Sequence, residues 1–277
     1  MNALNDIKVA VKEQITSADF KQSNMLQLLY SSRTGESAVS HSIFQISPID
    51  EFRRLGECGF DTVSRWAFDR FMETYELHEV HMATTFFRRI SRAPEAASLW
   101  SHVFERQALN HIDADGCDFE IRRLYSSGKM RWGCPGPIRR ANFLQQSDFI
   151  DKITKAFQDK QPLHLVPSVP NIPAIDSILY IPNEELSCIQ VTISTKHGIQ
   201  VPGLRRIQSW LQPGTVLADL RPSVNNPWRF IFIVPPGEAS TFTLQRFEGD
   251  TSDDVWDRKV HQYVLGLDVL GNKKDNV

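Results

Sequence analysis

The sequence predicts an α/β fold, and three stretches carry that prediction. Residues 95–112 and 142–158 place apolar side chains at helical spacing, and residues 174–193 hold two short strand-like runs separated by a turn. Residues 202–234 then give a helix followed by a strand that is apolar but for Arg229. Helices interleaved with strands call for a mixed sheet flanked by helices.

The elements follow in order. Ser40 to Ser47 alternates apolar with polar residues and reads as a strand. Asp61 to Glu79 has the period of an amphipathic helix through Val63, Trp66, Ala67, Phe71 and Tyr75, and Met82 to Ile90 reads as a second, short helix. Residues 1–94 are therefore expected to be mainly helical, with one strand near 40–47. Pro94 suits the first turn of the next helix, Glu95 to Ile112, whose apolar face includes Leu99, Val103 and Leu109. Residues 95–270 form the expected α/β domain, and 271–277 a flexible tail.

Within that domain Phe119 to Leu124 alternates as a strand, and Asn142 to Gln158 is helical in pattern. The proline-rich segment Pro162 to Pro173 is expected to run extended without a regular ladder, because proline lacks the donor. Ala174 to Ile181, the turn Pro182-Asn-Glu-Glu, and Leu186 to Ile193 form a β-hairpin. It places Asp176 near the start of one strand and Gln190 and Thr192 on one face of the next, opposite Ile189, Val191 and Ile193. Pro202 to Leu211 reads as a helix, and Trp228 to Val234 and Thr241 to Phe247 as strands.

Composition narrows the function. The chain has 277 residues and a formal charge of −2, so any nucleic-acid contact must rest on a local patch. One cluster qualifies: Arg122, Arg123, Lys129, Arg131, Arg139 and Arg140, interrupted by Tyr125 and Trp132. It suits phosphate contact with aromatic stacking, and it also suits a solvated arginine-rich loop. Cys58, Cys117, Cys134 and Cys188 lack Cys-x-x-Cys or metal-ligand spacing and read as free thiols of a reducing compartment. No apolar run reaches the length of a membrane span, and Met1 to Gln14 lacks the apolar stretch of a signal peptide, so the expected location is intracellular with no membrane partner. No Gly-x-x-x-x-Gly-Lys-Ser/Thr loop occurs, so ATP hydrolysis is not expected; nor is there a Gly-x-Ser-x-Gly elbow, a His-Glu-x-x-His helix or zinc-finger spacing.

Several segments together resemble a known family: Ser40-His-Ser-Ile-Phe-Gln-Ile, Trp100-Ser-His-Val-Phe-Glu, Phe119-Glu-Ile-Arg-Arg-Leu, Asn171-Ile-Pro-Ala-Ile-Asp-Ser-Ile-Leu-Tyr, Ile189-Gln-Val-Thr-Ile-Ser-Thr-Lys-His and Gly203-Leu-Arg-Arg-Ile. They look like the C-terminal half of Crinkler-type effectors and retrotransposon-hot-spot proteins, whose domain is similar to the restriction-endonuclease superfamily. The resemblance implies a core of helix, three strands, helix and strand. It also implies an acidic residue on the first helix, an aspartate on the second strand and a Glu-x-Lys pair on the third. Oxygen ligands there converge on Mg2+ or Mn2+, which activates water for phosphodiester hydrolysis.

Carried over residue by residue, Glu105 takes the helix position and Asp176 the second-strand position, with Gln190 as a neutral third metal ligand. This sequence departs from the pattern at Gln190 and Thr192, which stand where the carboxylate and the lysine belong, and each removes a charge. Lys196, ahead of His197, is the candidate for a lysine reaching back from beyond the strand. Without the resemblance, Glu105 reads as a surface or intrahelical charge, Gln190 and Thr192 as a solvent-facing polar stripe, and His197 as a strand terminator. Asp176 stands apart, because a carboxylate within an apolar strand is costly to bury without a partner or a metal.

Two functions are expected from this. One is a Mg2+- or Mn2+-dependent endonuclease-like domain acting on or binding DNA. The other is a catalytically decayed, effector-like or mobile-element-derived module that binds a protein or nucleic acid. Nuclear placement is implied by the resemblance alone.

Overall fold

The structure is a computed structural model that describes residues 44–48, 58–62, 68, 72, 91–92, 97–113, 118–126, 128–134, 136, 138–168, 172–184, 186–249 and 255–270. The chain divides into two compact units, 1–103 and 104–277.

In the first unit, β1 (Phe44–Pro48) pairs antiparallel with β2 (Cys58–Thr62), Phe44 opposite Thr62 and Pro48 opposite Cys58. The helix expected from Asp61 does not begin there, since Asp61 and Thr62 close β2. Phe68 and Met72 are helical and fully buried, four residues apart on one helical face. The rest of 63–79, and the helix expected over 82–90, lie outside the described residues. Helix α1 (Ala97–Ile112) runs across the boundary between the two units, and Leu99, Val103, Phe104, Ala108 and Ile112 are buried along it.

The second unit is built on an eight-stranded mixed sheet. Its strands are β3 (Asp118–Arg123), β4 (Lys129–Gly133), β5 (Arg139–Phe143), β6 (Leu163–Pro167), β7 (Ser177–Tyr180), β8 (Ser187–Val191), β10 (Trp228–Val234) and β12 (Val260–Gly266), in the order β4-β3-β12-β10-β8-β7-β6-β5. A two-stranded parallel pair joins β9 (Ile199–Gln200) to β11 (Phe247–Glu248). Helix α2 (Gln146–Asp159) precedes β6, and α3 (Val201–Trp210) crosses from β8 to the parallel strand β10. Two short helices, α4 (Pro236–Ala239) and α5 (Trp256–Lys259), flank the later strands.

The expected hairpin is present as β7 and β8, with Ser177 opposite Ile189 and Leu179 opposite Ser187. Its turn puts Pro182 and Asn183 at the central positions, Asn183 at φ 66°, closed by Glu184 N–H donating to Ile181 O at 3.1 Å. Proline presets the first of those positions, and asparagine tolerates the left-handed second one. The hairpin extends to a three-strand meander because β6 pairs antiparallel with β7. This corrects the expectation that 162–173 supplies no ladder: Pro162 and Pro167 bracket the strand, so the donors of Leu163 to Val166 remain. The helix expected from Asn142 starts instead at Gln146, since Asn142 and Phe143 complete β5.

Side-chain alternation along the paired strands defines the two faces of the sheet. On one face Leu163, Leu165, Ile178, Tyr180, Cys188, Phe230, Phe232 and Val264 join a core with Phe149 and Ile153 of α2 and Leu204, Ile207 and Trp210 of α3. On the other stand His164, Ser177, Ser187 and Ile231. There Trp132 of β4 donates its indole N–H to Ser187 Oγ at 3.2 Å, although β3, β12 and β10 separate β4 from β8 in the sheet. Only a strongly curled sheet brings those residues together.

The strand expected over Thr241–Phe247 is not one. Residues 242–246 lie in no strand and instead strap the first face, held by side chains and by Ile199 N–H, which donates to Arg246 O at 2.8 Å. Gln262 of β12 imitates a ladder rung: its Oε1 accepts from Gln245 N–H and its Nε2 donates to Gln245 O, each at 2.9 Å. Arg122 of β3 donates to Ala239 O at 2.7 Å and Phe242 O at 2.9 Å, and Phe242 packs on Phe232 with ring centroids 5.1 Å apart.

No helix among the described residues is long and apolar enough to cross a membrane. Cys134 and Cys188 are buried free thiols, and burial pushes the Cys188 thiol pKa up.

Candidate functional site

Asp176 lies immediately before β7, and two features of the backbone set it there. Ala174 adopts φ 62°, a left-handed conformation that costs a non-glycine residue energy. Gly203, in the first turn of α3, lies so close to this segment that a Cβ would stand 2.0 Å from Pro173 O. The helix can press against the approach to Asp176 only because that Cβ is missing.

The half-buried Asp176 extends the meander at both ends of its residue. Its N–H donates to Ile189 O at 2.9 Å, and its Oδ2 accepts from Val191 N–H at 2.7 Å and from Gln190 Nε2 at 3.0 Å. A carboxylate only accepts, so this contact fixes which way the Gln190 amide is turned. Gln190 Oε1 then points away, buried and without a hydrogen-bond partner.

Gln190 and Thr192 are each 6 % exposed, so they do not form a solvent-facing stripe. Thr192 continues the ladder with N–H to Ile233 O at 2.9 Å, and its Oγ1 accepts from Ser194 N–H at 3.0 Å, closing the turn beyond β8. Lys196 is exposed on the following loop, where its carbonyl accepts from Ser194 Oγ at 2.9 Å. His197 is half-buried, and burial lowers its pKa against the opposing pull of Glu248. The structure thus brings Asp176 and Gln190 into contact, with Thr192 two residues further on, just past the end of β8.

Glu105 is half-buried on α1. The helix directly before the β6-β7-β8 meander is α2, and three strands lie between α1 and that helix. Just past the end of α1, Asp113 meets His164 on the face opposite to the one that carries Asp176 and Gln190.

The magnesium-type centre implied by the resemblance can be tested against these donors. A hard cation needs converging oxygens carrying negative charge. Here Asp176 Oδ2 already accepts two N–H bonds, and Gln190 turns its amide N–H, not its carbonyl, toward that carboxylate. The residues at this position do not fit the ion. Among the described residues no group of three or more His, Cys, Asp or Glu is placed to hold a metal.

The six cations of the sequence cluster separate. Arg122, Arg123, Lys129 and Arg131 lie on β3 and β4, and Arg139 and Arg140 on β5, at the other end of the strand order. Arg122 anchors the strap. Lys129 pairs with Glu120 at 2.6 Å, and Arg131 with Asp118 at 2.7 Å. Arg123 donates to Tyr125 Oη and stacks 4.2 Å from its ring centroid. Arg139 is exposed.

Arg140 belongs to a cluster, built around the buried His164, that the sequence reading missed. It donates to Asn110 Oδ1 at 2.8 Å and Asp113 Oδ2 at 3.1 Å, while His164 Nδ1 lies 2.6 Å from Asp113 Oδ1. His164 is fully buried, and burial lowers its pKa; Asp113 opposes that shift and Arg140 adds to it. We take the ring as neutral with its proton on Nδ1, facing the carboxylate. The buried, unpartnered Nε2 is then a bare acceptor. The one available signal was a histidine at an alternating position in the apolar run Leu163-His-Leu-Val.

A cleft of about 1010 Å³ also went unforeseen. Its cations, Arg123, Arg246 and Arg258, come from three remote stretches of sequence, so no local run announces it.

Comparison with protein-family models, with curated proteins and with solved structures finds no match to this chain.

Proposed function

We propose that the second unit is a restriction-endonuclease-like domain that binds DNA without cutting it at the Asp176–Gln190 position. Apart from the two-residue β9, which pairs only with β11 outside the main sheet, the succession α2, β6, β7, β8, α3, β10, with a meander followed by a helical crossover to a parallel strand, supports this reading. It is the order of helix, three strands, helix and strand that the family resemblance implies. Asp176 precedes the second strand of that meander, Gln190 lies near the end of the third, and Thr192 stands one residue past it.

The loss of cleavage rests on one observation: the Gln190 amide donates to Asp176 Oδ2. A glutamate at 190 would put two carboxylates in contact, a pair that a cation or a shared proton must relieve, whereas glutamine satisfies the aspartate without either. At the lysine position, the Thr192 hydroxyl is engaged with Ser194 N–H and carries no charge to stabilise a developing anion. What persists is a scaffold with exposed and half-buried cations on β3, β4 and β5.

The test is retention of a labelled DNA fragment in a native gel, run beside plasmid incubation with Mg2+ or Mn2+. Salt-sensitive retention without nicking is the expected result. Nicking by the wild-type protein refutes the loss of cleavage. Failure to retain DNA at low salt refutes DNA binding and leaves a protein partner as the surviving role.

A further inference from the structure

The cleft lies beside the strap, between the turn after β3 and the start of β12, and its lining includes Arg123, Tyr125, Arg246, Phe247, Arg258 and His261. Among the described residues of the lining, three arginines face one acidic residue, Asp257, which makes this set of residues positive on a chain whose formal charge is −2. Among the described residues neither Arg246 nor Arg258 has a carboxylate partner. Arg123 Nε is buried without a hydrogen-bond partner. Arg246 and Arg258 are exposed, and guanidinium groups suit phosphate oxygens, which accept in a planar, two-pronged geometry.

Aromatic surface accompanies the charge. Tyr125 is 47 % exposed even though it stacks on Arg123 and meets the His261 ring edge-on at 5.8 Å. An exposed ring beside arginines offers a planar base a stacking surface. The volume lies at the upper limit of ordinary ligand pockets, roughly 300–1,000 Å³, which leaves room for a short length of strand rather than a lone anion.

The walls are fixed in advance. Gln245 and Gln262 exchange two bonds of 2.9 Å, and Leu124 N–H donates to Gln262 O at 3.0 Å, which ties the strap and the β3 turn to β12. Gln245 also accepts from His197 N–H at 2.7 Å and donates to Thr195 O at 3.2 Å, linking the cleft to the loop that follows Thr192.

We infer that this cleft binds single-stranded nucleic acid, with phosphates on Arg123, Arg246 and Arg258 and a base on Tyr125. The inference takes its ligand class from the proposed function and adds the form of the strand and the surface that holds it.

The experiment is fluorescence anisotropy with a labelled oligothymidylate, with thymidine monophosphate and a duplex of mixed sequence as competitors. The wild type is expected to bind the strand and to prefer it over both competitors. Tyr125→Ala should weaken binding roughly 5- to 100-fold and Tyr125→Phe should restore it. Arg246→Gln with Arg258→Gln should lower the log–log salt slope by about 1.4, from about 0.7 per lost contact on a single strand. Equal competition by the duplex, or strand binding unchanged in all of these variants, overturns the inference while leaving DNA binding elsewhere intact. Plasmid nicking bears only on the proposed loss of cleavage.

Discussion

Gln190 Nε2 donates to Asp176 Oδ2 across 3.0 Å, so the two residues are partners in the folded protein without any third group between them. The contact joins the residue before β7 to the end of β8, and Val191 N–H reinforces it at 2.7 Å. It makes Asp176 a bracket for the meander.

Removing the bracket should therefore cost stability. Asp176→Ala leaves the Gln190 amide and Val191 N–H without their acceptor, with an expected loss of roughly 2–4 kcal/mol. Asp176→Asn keeps one carbonyl oxygen for those donors and should lose less. Urea unfolding of the three proteins checks the order. Equal stability of wild type and Asp176→Ala would contradict the bracket.

Gln190→Glu tests the same contact from the other side. It replaces an attractive donor with a second carboxylate about 3 Å from the first, and should cost roughly 1–3 kcal/mol at neutral pH. Protonating the introduced carboxyl relieves the repulsion, so the deficit in melting temperature should shrink toward about pH 5. A deficit that grows on acidification would contradict the account.

The approach to Asp176 gives a contrast between two neighbouring sites. Gly203→Ala drives a Cβ into Pro173 O and should cost roughly 1–3 kcal/mol. Ala174→Gly relieves a positive φ and should be neutral or stabilising by up to about 1 kcal/mol. Denaturant midpoints separate the two, and a larger loss from Ala174→Gly would reverse the argument.

His164 supplies a pH dependence of definite sign. Burial holds its folded pKa below the ordinary value of about 6.5, so in acid the unfolded chain binds the proton that the folded chain refuses. Its contribution is present in full above about pH 6.5 and is lost as the pH falls toward the folded pKa. Thermal melts at about pH 7.5 and about pH 5.5 should show a smaller drop for His164→Leu than for the wild type. A larger drop in the variant would mean that the Asp113 carboxylate overrides burial and keeps the ring charged.

Helix α1, the β7–β8 hairpin, α3 and β10 were legible because their apolar spacing is local and each is bounded by its own turn residues. β6 was not, because Pro162 and Pro167 read as ladder breakers although the one precedes the strand and the other is its last residue. The strap was misread as a strand because Thr241 to Phe247 has strand-like composition, while its hydrogen bonds come from Gln262 and Arg122, far away in sequence. At the site, strand alternation placed Gln190 and Thr192 on one face. The direction of the Gln190 amide, which decides what the pair does, depends on a carboxylate fourteen residues earlier. Glu105 illustrates the opposite limit: its helix is plain in the sequence, but that three strands and not one separate it from α2, the helix directly before the meander, is not.

The central claim is that the Asp176–Gln190 pair binds no catalytic ion and cuts nothing. Its most direct test is conversion of supercoiled plasmid by the wild type and by Asp176→Ala, each with Mg2+ and with Mn2+. The account predicts no nicking by either protein with either metal. Metal-dependent nicking by the wild type that disappears in Asp176→Ala would contradict it.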